Sequence, residues 1–357
     1  MQIIKLHCAD NSRFRLGSGS LLEVEDIVHS DTLFNGWMNA YLSLFGAGTL
    51  PQVLQTFQSG DCCCSSAFHF VDIFKGQDYV STLYFVPKPL LRRISIPTSE
   101  ESDGSIKKRI KKLKYVSLDL LQELLTSVKT DAEGELRFSI DLLALTIFAD
   151  EYAMAESNIP TELLPHLPEL KKMQFRCLID APKVAINRLS AQSDDIYYQT
   201  DCFFNWQQCG NFELRPGFYF LFQPPTDVRL HKRLSAALNL LADEGLGGER
   251  SSGAGFIERI EQKTFVWKLS GAYAMLLSLT LPGATNHFDQ IINYQSIIRG
   301  GYLGTTGIRK NQVRMLREGS IVKLPFAGSI VLDSPTKSPA SYRYAQAVYV
   351  QFGDGQL

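Results

Sequence analysis

Residues 245–255 read Gly-Leu-Gly-Gly-Glu-Arg-Ser-Ser-Gly-Ala-Gly, a composition suited to holding phosphate. Gly247, Gly248, Gly253 and Gly255 lack the Cβ that would keep an anion away from backbone N–H groups. Arg250 adds a forked cationic donor, and Ser251 and Ser252 add short hydroxyl donors. A loop of this kind grips a nucleic-acid backbone by position and not by base. A plain glycine-rich connection is the competing reading, and the embedded Arg-Ser-Ser favours phosphate contact. A P-loop needs a strand before the glycines and Lys-Ser or Lys-Thr after them, whereas a helical pattern precedes this loop. The dinucleotide fingerprint fails on the same order.

Other donors are scattered along the chain. Arg13 and Arg15 alternate around Phe14 and can share one side of a strand, as an RNA groove or as a solvated surface. Lys88, between Pro87 and Pro89, sits on a stiff segment suited to RNA or to a neighbouring subunit. Residues 182–212 read as a projecting hairpin with its turn at Ser193, Asp194 and Asp195. Lys183, Asn187 and Arg188 could meet phosphates there, and Tyr197 or Trp206 could stack a base, against simple packing of the aromatics beneath the hairpin. Ser30 and Thr32 open a helix whose exposed N–H groups attract phosphate, or else merely cap it.

Catalytic groups are sparse. RNA cleavage by general acid and base chemistry wants a second His, Lys or Tyr near the first, and the six histidines stand singly. His29 is read as structural. No His, Cys or carboxylate cluster has metal-ligand spacing, so no metal and no cofactor is expected. Cys62, Cys63 and Cys64 cannot pair among themselves without strain, and seven cysteines read as free thiols of a cytoplasmic protein.

These groups need elements to place them. An alternating strand at residues 3–8 leads to a helix from Ser30, with Leu33, Phe34, Trp37, Met38, Tyr41, Leu44 and Phe45 on one face and Ser30 or Asp31 as cap. Strands follow at 67–74 and 79–86, then a helix capped by Ser117. A buried strand at 218–222, a helix ending at Gly245 and a strand after Gly255 complete a βαββαβ-like order, with helices on one sheet face. From Lys268 a second module begins, with a strand at 273–281, a brief helix near 288–294 and strands ending at 347–352.

The expected class is α+β: two ferredoxin-like (RRM-like) modules, 1–267 and 268–357. The first carries a long insertion at about 90–215, forming a thumb-like hairpin, and the glycine-rich loop. A chain of 357 residues accommodates two such modules. With 36 basic against 37 acidic residues, bulk charge supplies no argument for a nucleic-acid partner. Between Lys88 and Lys114, nine Lys and Arg face three acidic residues, as a solvated run or an RNA-facing surface. No apolar stretch is long enough to span a membrane.

At the glycine loop the sequence resembles the RAMP superfamily of CRISPR proteins. The segments 29–34 (His-Ser-Asp-Thr-Leu-Phe), 65–68 (Ser-Ser-Ala-Phe), 87–89, 247–253 and 314–320 (Arg-Met-Leu-Arg-Glu-Gly-Ser) are similar, in order, to the fourth-subunit family of the type III-A Csm effector complex. His69, Ala254 and Ala345 depart from that family's pattern. The resemblance implies a structural subunit that binds the 5′ tag of crRNA, caps the filament of backbone RAMP subunits and docks the large polymerase-like CRISPR subunit. Two other readings stand beside it: a metal-independent endoribonuclease processing precursor crRNA, and a protein-only assembly adaptor.

Overall fold

The run Phe218-Tyr219-Phe220-Leu221-Phe222 has no polar face, so a strand built from it must be covered on both sides. In the computed structural model Phe218, Phe220 and Phe222 join one apolar cluster while Tyr219 and Leu221 join another. The structure describes residues 1–17, 22–90, 94–95, 112–130, 135–139, 145–186, 189, 192–283, 288–303, 308–335 and 341–353.

The elements of the first part are β1 (Gln2–His7), β2 (Ser12–Phe14), α1 (Ser30–Phe45), α2 (Leu50–Gln58), β3 (Phe68–Lys75), β4 (Asp78–Pro87), β5 (Tyr115–Ser117) and α3 (Leu118–Thr126). They continue with β6 (Leu145–Phe148), β7 (Tyr152–Ala155), β8 (Arg176–Ile186), β9 (Ser193–Phe204), β10 (Phe212–Gln223), α4 (Val228–Glu244) and β11 (Arg259–Thr264). The main sheet runs β6-β7-β5-β4-β3-β10-β1-β11. Within it β11, β1, β10 and β3 are successively antiparallel.

Side-chain alternation assigns the two faces. Ile4, Leu6, Phe218, Phe220 and Phe222 pack against Leu33, Phe34, Trp37, Leu234, Leu238 and Leu241 of α1 and α4. Gly36 lets those helices approach: a Cβ there would lie 3.1 Å from the Leu241 side chain. The indole of Trp37 donates to the Leu234 carbonyl at 2.8 Å, satisfying its buried N–H. Both helices lie on one face, as expected, and the opposite face is covered by apolar residues of 113–175 and of the C-terminal strands.

The C-terminal strands are β12 (Tyr273–Leu276), β13 (Ile291–Asn293), β14 (Ser296–Arg299), β15 (Val313–Leu316), β16 (Ile321–Lys323), β17 (Ser329–Leu332), β18 (Tyr342–Ala345) and β19 (Tyr349–Phe352). They form a sheet β13-β16-β12-β19 and two hairpins, β14-β15 and β17-β18. Met275, Ile321, Val350 and Phe352 join the cluster of Ile3 and Phe70, and Tyr344 stacks on Phe34 at 4.9 Å. The C-terminal strands therefore share the N-terminal core.

Several local expectations change. α1 begins at Ser30 after an N-cap at His29 with no side-chain cap bond, because Ser30 and Asp31 are spent on tertiary partners. Asp227 caps α4 and Ser117 caps α3 through side-chain oxygens. Ser193, Asp194 and Asp195 open β9 instead of forming a turn, with Ile186 opposite Ser193. Leu178, Ile179, Val184, Ile186, Ile196 and Tyr198 of the ribbon are exposed, so its register rests on strand pairing and not on an apolar face. Residues 291–293 are a strand, following a 3-10 turn at Phe288–Gln290, because Ile291 pairs with Val322. The strand at 273–281 ends at Leu276, although Thr280 still bridges to Leu316.

All seven cysteines are free and five are buried. Among the described residues, no helix is long and apolar enough to cross a membrane.

Candidate RNA interface

The glycine-rich loop is stitched to β2 and its extension. Gly248 N–H donates to the Arg15 carbonyl at 2.8 Å, and Gly255 N–H to the Arg13 carbonyl at 2.7 Å. The Arg13 guanidinium returns to the Ser252 carbonyl and hydroxyl, each at 2.8 Å. The amides of Gly248 and Gly255 are thus used inside the protein, which corrects their expected part as phosphate donors. Gly247 has φ +99° and a Cβ there would lie 2.6 Å from the Arg15 carbonyl, so glycine is what allows β2 and the loop to meet. Arg250, Ser251 and Ser252 form a short 3-10 turn. The amides of Gly247, Glu249, Arg250 and Ser251 have no partner among the described residues.

β2 in turn pairs with β9, Phe14 opposite Cys202, so loop, arginines and the base of the β8-β9 ribbon form one unit. Arg15 is almost fully buried and donates to the Thr200 carbonyl. A cleft of about 220 Å³ opens between the loop and the start of α1; Arg15, Thr32, Gly247, Gly248, Arg250 and Arg299 line it. Arg250 is the accessible charge: its side chain is 44% exposed and its one carboxylate contact among the described residues, Glu244, is at 3.5 Å.

Beneath the cleft lies a buried ionic cluster. Arg299 grips Asp31 with two nitrogens, each at 3.0 Å, and donates to the Thr32 hydroxyl at 2.9 Å. Arg343 adds a contact to Asp31 at 2.6 Å and another to Asp333 at 2.8 Å. Burial alone would raise the Asp31 carboxyl, but Arg299 and Arg343 outweigh it and hold it at about 2. His29 lies between Glu318 at 2.8 Å and Glu25 at 3.3 Å. Burial alone would lower this imidazole, but the two carboxylates push it up to about 9, so it is a cation at neutral pH. The Ser66 hydroxyl also donates to Glu318. Three segments that carried the family resemblance, around 29, 66 and 318, therefore meet in one polar node.

The remaining residues scatter. Ser30 is buried, with its hydroxyl accepting from Leu279 N–H at 3.1 Å. Lys88 lies beside the C-terminal strands, where its neighbour Leu90 donates to Gly319. Lys183 sits on β8 opposite Tyr197. Asn187 and Arg188 lie outside the described residues, as do 91–93 and 96–111 of the basic segment; Lys114 pairs with Asp26 at 2.9 Å and Glu151 at 2.8 Å. Trp206 donates to the Cys8 carbonyl, and Arg215 lies 4.2 Å from its ring. His29, the candidate for the endoribonuclease reading, is only 1% exposed and doubly ion-paired. His69 is held neutral by burial, donating to the Asp26 carbonyl and accepting from Tyr152. Arg299 escaped notice in the sequence; the Gly-Gly pair directly after it was the available signal.

Residues 270–352 match the family model described as the CRISPR Csm4 C-terminal domain. The chain is 28% identical to the CRISPR system Cms protein Csm4 of Methanocaldococcus jannaschii, over 94% of this chain and 89% of that protein. It is 26% identical to the Csm4 of Thermococcus onnurineus, over 84% of this chain and 82% of that one. A crystal structure of a Csm3-Csm4 subcomplex of the type III-A interference complex superposes with a TM-score of 0.66 at 23% identity, covering 99% of this chain and 100% of that one. A Csm1-Csm4 cassette in complex with cA4 gives 0.55 at 20% identity, covering 99% and 97%. The chain is Csm4-like in sequence over most of its length and in fold over nearly all of it.

Proposed function

We propose that this Csm4-like chain is a structural RNA-binding subunit of a type III CRISPR ribonucleoprotein, holding the 5′ tag of crRNA. One observation carries the reading. The glycine loop, Arg15, Thr32 and the exposed Arg250 converge on a single cleft, although they are distant in sequence. Its donors suit phosphate positioning rather than base readout. The strand order β11-β1-β10-β3 with α1 and α4 on one face supports a ferredoxin-like first module over 1–267. The β8-β9 ribbon is its thumb, and 268–357 is a second module docked on the first.

Relatives of this fold have been seen with Csm3 and with Csm1. By that likeness the chain caps the backbone RAMP filament and docks the large polymerase-like subunit, and it leaves catalysis to others. The test is binding of the purified chain to tag RNA. Arg250→Ala weakens binding and reduces the magnitude of the salt slope by about 0.7, the share of one neutralised phosphate. Unchanged affinity and slope in that variant would sink the mechanism.

A further inference from the structure

A second cleft, also about 220 Å³, opens between residues that extend the two arms of the β14-β15 hairpin; Gly300, Gly301, Tyr302, Arg309, Lys310 and Gln312 line it with Ile298. Beyond the strands the two arms are joined by backbone bonds, Leu303 N–H to the Ile308 carbonyl and Lys310 N–H to the Gly301 carbonyl, each at 2.9 Å. Tyr302 stands 51% exposed, and the guanidinium of Arg309 lies 5.7 Å from its ring centroid. Among the described residues, no carboxylate lines the cleft. Asp333, the carboxylate that faces Lys310 at 3.8 Å, is buried and already engaged by Arg343 at 2.8 Å. Arg309 has no carboxylate partner among the described residues, so its charge is turned outward.

An exposed aromatic ring beside an uncompensated guanidinium is the pairing that holds one nucleotide of a single strand: the ring stacks the base, and the guanidinium takes the phosphate. The chain also links this cleft to the first. Arg299 lines the glycine-loop cleft, and the next residue, Gly300, lines this one. Arg343 ties the two by holding Asp31 beneath the first and the Gly300 carbonyl, at 3.0 Å, beside the second.

We infer that the cleft at Tyr302 and Arg309 is a second RNA site of this chain, taking one nucleotide of a single-stranded RNA beyond the part held at the glycine loop. The inference rests on the RNA-binding function proposed above. The full-length chain is titrated with fluorescently labelled crRNA and with oligo(U) at several salt concentrations, alongside Tyr302→Ala, Tyr302→Phe, Arg309→Ala and Arg250→Ala. Tyr302→Ala weakens binding roughly 5- to 100-fold while Tyr302→Phe retains it, because stacking needs the ring and not the hydroxyl. Arg309→Ala lowers the salt slope by about 0.7, additively with Arg250→Ala. Both side chains are exposed, so urea midpoints stay at the wild-type value and folding does not confuse the outcome.

Wild-type affinity in Tyr302→Ala and Arg309→Ala, with Arg250→Ala still impaired, overturns this site and leaves the first intact. A chain that binds neither RNA overturns both.

Discussion

Arg299 and Arg250 line the same cleft and could hardly differ more in what they do. The Arg299 side chain is 8% exposed and committed to Asp31, Thr32 and Glu25, whereas that of Arg250 is 44% exposed with one long contact to Glu244. In the buried cluster, four cations (His29, Arg299, Arg343, Lys310) meet four carboxylates (Glu25, Asp31, Glu318, Asp333). Such a set holds its geometry because removing any member leaves an uncompensated charge in a poorly solvated place. The loop above has donors to spare. Residue type alone does not separate a phosphate-binding arginine from a structural one; burial and the partners already engaged do.

The largest effect that would test this contrast belongs to the buried half. Asp31→Ala strands Arg299 and Arg343, and should destabilise the chain by about 3–5 kcal/mol in urea denaturation. A loss near zero would mean that the cluster is solvated and that the distinction fails. His29 sharpens the same point through pH. Its pKa is raised from 6.5 to about 9, so its contribution is complete below 6.5 and is lost as pH rises through 9. Stability of the wild type should therefore fall across that window by on the order of 2–3 kcal/mol more than that of His29→Gln.

The loop shows smaller effects. Gly255 has φ +83° and its Cβ position is occupied by the backbone of Leu246, so Gly255→Ala should cost about 1–3 kcal/mol and weaken RNA binding with it. Arg250→Ala should move stability by no more than about 0.5 kcal/mol while still weakening RNA binding, a separation that the buried residues cannot show.

Much of the scaffold was legible without coordinates because it rests on short-range pattern. The helices at Ser30–Phe45 and Val228–Glu244 follow from apolar spacing and from Gly46 and Gly245 at their ends. The hairpin β3-β4 follows from two apolar runs around Gly76. Patterning failed where a long-range partner decided the conformation, as at Ser193–Asp195, drawn into β9, and at 291–293, drawn onto β16. It failed also at Ser30 and Asp31, whose expected capping role gives way to bonds with Leu279, Arg299 and Arg343.

The candidate site divides the same way. Sequence alone singled out Gly245–Gly255 and Arg250, because four glycines around an arginine are a local statement about backbone freedom and charge. Only the tertiary structure decided that Gly248 and Gly255 spend their amides on Arg15 and Arg13, and that Arg299 arrives at the cleft from the far end of the chain. A donor's availability depends on which acceptors reach it first, and those acceptors come from strands hundreds of residues away. Propensity and spacing act over a few residues; burial and hydrogen-bond satisfaction are settled by the whole fold.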